Sequence, residues 1–173
     1  MHKHLWIFAF IFIILITNDL KSEETKIVYV DVQSILEKSN VGKKEFDNLN
    51  DLIKKKNSNF VEIEKQLKSE ENQILKQKNI LSENELNAKI SDFQNKINDY
   101  NLKKHEFTKE VNDQRLNITN NLLESLNLIL SDYASKNEIS IILQKKNIII
   151  GKSTLDVTKD VLKIFNENIK TIN

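Results

Sequence analysis

From Phe46 to Leu81, apolar side chains return in alternating steps of three and four. Positions 46, 49, 53, 56, 60, 63, 67, 70, 74, 77 and 81 read Phe46, Leu49, Ile53, Lys56, Phe60, Ile63, Leu67, Glu70, Ile74, Gln77 and Leu81. The alternation restarts at Leu86 and runs through Ile90, Phe93, Ile97, Tyr100, Lys104, Phe107, Val111, Gln114 and Ile118. A spacing held for about five heptads predicts helices that wind around each other rather than one amphipathic helix on a globular core. Ser39-Asn40 supplies N-cap chemistry and Gly42 a close turn, so the first helix is expected from about Gly42 to Leu81, roughly 60 Å long. Ser82-Glu-Asn-Glu85 has the spacing of a capping box. It opens a second helix running to about Lys136, on the order of 80 Å.

Folding the chain back at residue 83 or 84 makes the two helices antiparallel. It sets Ile74 against Phe93, Leu67 against Tyr100, Phe60 against Phe107 and Leu49 against Ile118. Glu70 then falls near Ile97, Lys104 near Ile63 and Lys56 near Val111, local weaknesses that long side chains relieve by reaching water. Leu122, Leu126, Ile129, Leu130 and Tyr133 make the last turns more apolar than the arm and predict packing against a body.

Outside the helices, period-two and β-branched runs predict strands. The run from Lys26 to Val32 is apolar on both faces, with Val28, Val30 and Val32 on one and Ile27 and Tyr29 on the other. Residues 33–38 fit a short helix. Ile139 to Leu143 reads as a second strand, Lys145 to Asn147 as a turn and Ile148 to Gly151 as a third strand. Asp156 is expected to cap a last helix with the stripe Val157, Val161, Leu162, Ile164, Phe165 and Ile169. The fold class expected is α+β, mostly α: a long antiparallel coiled-coil hairpin on a small three-stranded β body that trimerises. Such a core is too small to cover both sheet faces alone, and neighbouring subunits are the natural cover.

Composition removes several classes of function. The chain has 173 residues, no cysteine, no proline and two glycines. Disulfides, thiolate metal sites and a thiol nucleophile are excluded, as is a lipidated N-terminal cysteine. Residues 2–4 are basic, Leu5 to Ile16 is unbroken apolar sequence and Thr17 to Ser22 is polar, the layout of an export signal with cleavage after Ser22. Removing residues 1–22 takes Lys3, Lys21 and Asp19, so the charge balance goes from 26 minus 25 to 24 minus 24. The expected organisation is a signal peptide at 1–22, a trimerisation body from 23–41 and 137–173, and an arm at 42–136.

No catalytic constellation, cofactor site or metal site emerges. His105 lies beside Lys104 and Glu106, and adjacent helix residues do not face one another. Lys54-Lys-Lys56 is too short and too balanced by acids to argue for nucleic acid.

Two blocks carry a family resemblance. One is Lys26-Ile-Val-Tyr-Val-Asp-Val-Gln-Ser-Ile-Leu36 with Ser39-Asn-Val-Gly-Lys43. The other is Tyr133-Ala-Ser-Lys-Asn137, the segment Ile139 to Leu143, Ile148-Ile-Ile-Gly151 and Leu155-Asp-Val-Thr-Lys-Asp-Val-Leu162. Together with the arms, they make the chain resemble the Skp/OmpH family of periplasmic chaperones over nearly all of residues 25–170. The resemblance implies a homotrimer with a central β body and three helical arms. Around their cavity it implies ATP-independent holding of unfolded outer-membrane β-barrel proteins. The neutral mature charge, with Lys76 and Lys78 offset by Glu70, Glu71, Glu83 and Glu85, means that a lipopolysaccharide site at the arm tips is not carried over.

Val28, Val30, Ile141 and Ile149 are the candidate inter-subunit residues. Leu52, Val61, Leu75, Ile80, Leu102 and Leu116 are apolar, lie off the seam and are the candidate client-binding residues. A membrane-anchored periplasmic coiled-coil adaptor is the alternative. Such adaptors need a larger, glycine-bearing β domain on both sides of the hairpin.

Overall fold

A computed structural model describes residues 25–172. The signal segment expected at 1–22 lies outside them. Strand β1 (Ile27–Val30) leads into helix α1 (Val32–Lys38) and then α2 (Asn40–Gln77). Helix α3 (Glu83–Lys136) returns, followed by β2 (Ile141–Gln144) and, after two 3₁₀ turns, α4 (Thr158–Asn168).

Local chemistry explains the two N-terminal helix starts. The Asp31 carboxylate accepts from Ser34 N at 2.9 Å and caps α1. The buried Ser39 hydroxyl accepts from Gly42 N at 3.1 Å and caps α2, while donating to the Leu36 carbonyl at 3.3 Å. Gly42 is required there because a Cβ on it would lie 1.9 Å from the Leu36 oxygen. At the far end of α3, Glu138 adopts φ 54° and Ile139 N donates back to the Ala134 carbonyl at 2.9 Å. This is a Schellman ending with a glutamate where glycine is usual.

Helices α2 and α3 form the antiparallel arm at the expected register. Phe60 meets Phe107 at 5.8 Å between ring centroids, and ten residues further out Glu70 meets Lys96 at 2.6 Å. Helix α3 outlasts α2 and drives its last turns into the body. Leu122 and Leu126 there are fully buried with Ile35, Val161 and Phe165. Each such side chain contributes roughly 1.5–3 kcal/mol on leaving water, so the base of the arm is part of the core.

The sheet corrects the expected β body. It has two strands among the described residues, β1 and β2, and they run parallel with Ile27 opposite Ile141 and Val30 opposite Gln144. Residues 148–151 are not a strand. The edge of β1 that a third strand would use is taken by the lead-in to α4, where Val157 N donates to the Tyr29 carbonyl at 3.0 Å. Residues 145–155 are spent on reaching that position, and Ile149 and Ile150 are left in water.

The same connection covers the second face of β1. The Tyr29 hydroxyl donates to the Lys152 carbonyl at 3.1 Å, and a Cβ on Gly151 would lie 2.9 Å from the ring. Tyr29 is thereby buried within one chain, as are Val28 and Val30 on the other face.

Helix α4 begins two residues after Asp156, with Val157 as its capping residue, so the expected cap is displaced by one position. Asp156 still accepts from Thr158 N at 3.0 Å, from the Thr158 hydroxyl and from Lys145 at 2.7 Å. Burial pushes this carboxyl up, but the bonds from Lys145 and Thr158 outweigh it and hold the group below its ordinary value. The Thr158 hydroxyl also accepts from Asp31 N at 2.9 Å, tying α4 to the junction of β1 and α1.

Candidate functional site

The arm is the part of the molecule with surface to offer. Between Leu49 and Leu122, Tyr100 and Phe107 are the buried residues. Phe60 stands edge-on to Tyr100 at 5.8 Å. Beside these rings the Tyr100 hydroxyl donates a short hydrogen bond to Glu64. Lys104 donates to the same carboxylate at 3.1 Å and to the Tyr100 oxygen at 3.0 Å. The Tyr100 hydroxyl, then Lys104, holds the Glu64 carboxyl below its ordinary range. The Tyr100 contact, then Glu64, pushes Lys104 up. The heptad register sets Lys104 against Ile63, whereas its ammonium reaches the next residue.

At the tip the chain turns without glycine or proline. Ile80 N and Leu81 N both donate to the Gln77 carbonyl, at 2.9 and 3.0 Å. Ser82 and Glu85 then complete the reciprocal capping box. The Ser82 hydroxyl and amide hold the Glu85 carboxyl below its ordinary value. This tight turn leaves Ile80 82% exposed. Just below it Ile74, Leu75, Leu86, Ile90 and Phe93 line a groove of about 200 Å³ between the helices, with Glu71 and Lys78 at its rim.

Five of the six candidate client-binding residues are exposed: Val61, Leu75, Ile80, Leu102 and Leu116. Val61 and Leu75 stand two heptads apart on one face of α2, and Leu102 and Leu116 do so on α3. Leu52 is half-buried and falls on a different flank of α2. Two further exposed residues are not evident from the sequence pattern. Ile90 holds a seam position but is 47% exposed near the tip, and Leu128 is 72% exposed between the buried Leu126 and Ile129. Being out of phase with the buried stripe is the available signal for Leu128. Of the candidate inter-subunit residues, Val28 and Val30 face the chain's own core, whereas Ile141 and Ile149 are exposed.

Among the described residues no three His, Cys, Asp or Glu side chains are grouped to hold a metal ion. No helix among them is long and apolar enough to cross a membrane.

A long helical hairpin on a small α/β body is an OmpH-like fold. It matches a crystal structure from Caulobacter crescentus CB15 described as a putative outer membrane chaperone (OmpH-like), with TM-score 0.78 at 19% identity, over 86% of this chain and 88% of that one. The family Outer membrane protein (OmpH-like) matches residues 26–165, and the chain belongs to it. No curated protein matches the chain.

Proposed function

We propose that the protein is an ATP-independent periplasmic holdase that keeps unfolded outer-membrane β-barrel proteins from aggregating. One observation carries this reading. A slender arm, polar over most of its surface, exposes Val61, Leu75, Ile80, Leu102 and Leu116 away from the core of the body. Isolated apolar side chains spread along a rod suit many weak contacts with a non-native chain, and affinity then comes from their number. Membership of the OmpH-like family and the shared fold with the Caulobacter crescentus protein support the reading.

The holdase is a homotrimer in this proposal. Parallel sheets are normally covered on both faces. Here Ile141 and Leu143 of β2 are 44% and 43% exposed, and Ile149 and Ile150 are almost wholly so. Copies of the chain joined through this apolar stretch would bury it and gather the arms around a shared space. Val28 and Val30 would back that contact from inside each subunit.

Light scattering of a β-barrel membrane protein diluted out of urea tests the activity. The expected result is suppressed scattering once trimer and client are equimolar. Unchanged scattering at that ratio refutes the holdase.

A further inference from the structure

The arm is not uniformly held together along its length. Its proximal half is fixed at both ends, by the buried Leu49 and the body below and by Phe107 and Tyr100 above. Beyond Tyr100 no seam residue is buried. Leu67, Ile74, Leu86, Phe93 and Ile97 are all half-exposed, and Glu70 and Gln77 occupy positions where apolar residues belong. The Glu70–Lys96 pair crosses between the helices here at 2.6 Å, with Glu70 half-buried and Lys96 exposed, but no buried aromatic ring stands beside it. Open grooves flank both halves, one of about 390 Å³ bounded by Gln66, Gln73, Lys89 and Lys96 beyond Tyr100 and one of about 350 Å³ bounded by Lys56, Asn59, Glu106 and Glu110 below it, so the difference between the halves lies in the buried rings.

At the boundary stands a cluster unlike anything on either side. Tyr100 is buried and its hydroxyl is shared between Glu64 of α2 and Lys104 of α3. Lys104 closes the triangle on Glu64 and lies 5.3 Å from the Tyr100 ring centroid. Phe60 holds the ring from the α2 side. Two of these hydrogen bonds cross the seam to Glu64, the third lies within α3, and together with the buried Tyr100 ring they tie the two helices at this level. Both crossing bonds end on the one Glu64 carboxylate, which fixes the register of α3 against α2.

The geometry points to a two-part arm in which α2 and α3 come apart from each other beyond Tyr100, with Glu64, Tyr100 and Lys104 as the clamp that stops the opening. The surface uncovered is the distal seam itself: Leu67, Ile74, Phe93 and Ile97 join the already exposed Leu75 and Ile90. Under the holdase reading, this seam is apolar surface that is present only when the arm opens, and the clamp limits how much of it is offered. The splaying itself does not depend on what the arm holds.

Hydrogen exchange followed by mass spectrometry on the assembled protein, without client, tests the division. Amides of 66–98 should exchange faster than those of 50–63 and 101–118 by on the order of fivefold or more, the scale of one net hydrogen bond. Tyr100→Phe keeps the ring and removes the shared hydroxyl. It should shift the boundary bodyward, so that 56–63 and 101–107 exchange at the distal rate. Asp99→Asn is the control, since it breaks the 2.6 Å Asp99–Lys103 pair within α3 alone, and it should leave the boundary in place. Uniform protection along the wild-type arm overturns the proposal. So does a boundary that Tyr100→Phe leaves unmoved, or that Asp99→Asn moves as far.

Discussion

Gly42 lies against the carbonyl of Leu36 with no room for a methyl group, a Cβ there falling 1.9 Å from the oxygen. This contact sets the corner at which the short helix α1 hands the chain to the arm. Gly42→Ala should therefore prise α1 from α2 and cost about 1–3 kcal/mol, as overpacking of a fixed backbone does. Ser39→Ala, at the same corner, removes a buried cap and should cost about 0.5–2 kcal/mol. Urea unfolding followed by circular dichroism measures both. A wild-type midpoint for Gly42→Ala contradicts the tightness of the corner.

Glu138 sits at φ 54°, where a side chain is disfavoured. Glu138→Gly should stabilise the chain by roughly 0.5–1 kcal/mol, since relief of the left-handed strain exceeds the added freedom of the unfolded chain. The readout is a higher denaturation midpoint with an unchanged slope.

Val30 and Ile149 separate folding from assembly. Val30 is 1% exposed and Ile149 98%. Val30→Asp places an uncompensated charge in each subunit's core and should cost roughly 3–5 kcal/mol, unfolding the body with or without partners. Ile149→Asp should leave the subunit folded and weaken the proposed trimer. Sedimentation velocity with circular dichroism on both variants gives the answer: a fully trimeric Ile149→Asp argues against this residue at the interface.

Acid should loosen the molecule in a defined window. Glu64 and Asp156 are held below their ordinary values of 4.5 and 3.8 in the folded chain. Groups depressed by folding contribute stability that is complete above their unfolded values and drains away as pH falls through the folded ones. Stability should therefore be flat from neutrality to about pH 4.5 and decline below it. Lys104 and Lys145 are raised above 10.5, so their share persists to that pH and is lost above it. Thermal melts across pH 3–8 check the acid limb, and Asp156→Asn should flatten part of it.

The arm is legible in the sequence because a heptad seam is a local code: each side chain's neighbours are fixed by spacing alone. Spacing is enough to pair Phe60 with Phe107 and to place the capping box at Ser82. The body is less legible. Ile148-Ile-Ile150 has every mark of a strand, but strand propensity measures fit to a pleated surface, and the outer edge of β1 is already taken by the lead-in to α4. Which edge of β1 is free depends on Val157, far along the chain. The parallel pairing of β1 with β2 and the bond from Tyr100 to Glu64 are likewise tertiary facts. The heptad phase finds most of the exposed apolar residues on the arm. It does not tell Ile90, which the loosening tip leaves uncovered, from its buried counterparts on the seam.

The pairing of Ile27 with Ile141 has a bearing on how the molecule is made. The first strand leaves the ribosome, or crosses a membrane, with its partner still far behind it in the chain. Closing so long a loop by chance is slow, because chain entropy opposes it before any contact rewards it. The hairpin changes that. Once α2 and α3 have paired, the two strands are held within reach of each other, and the remaining search is short. The arm is thus a folding guide for the body that anchors it, and its length can vary by matched heptads on both helices without disturbing the strands that it delivers.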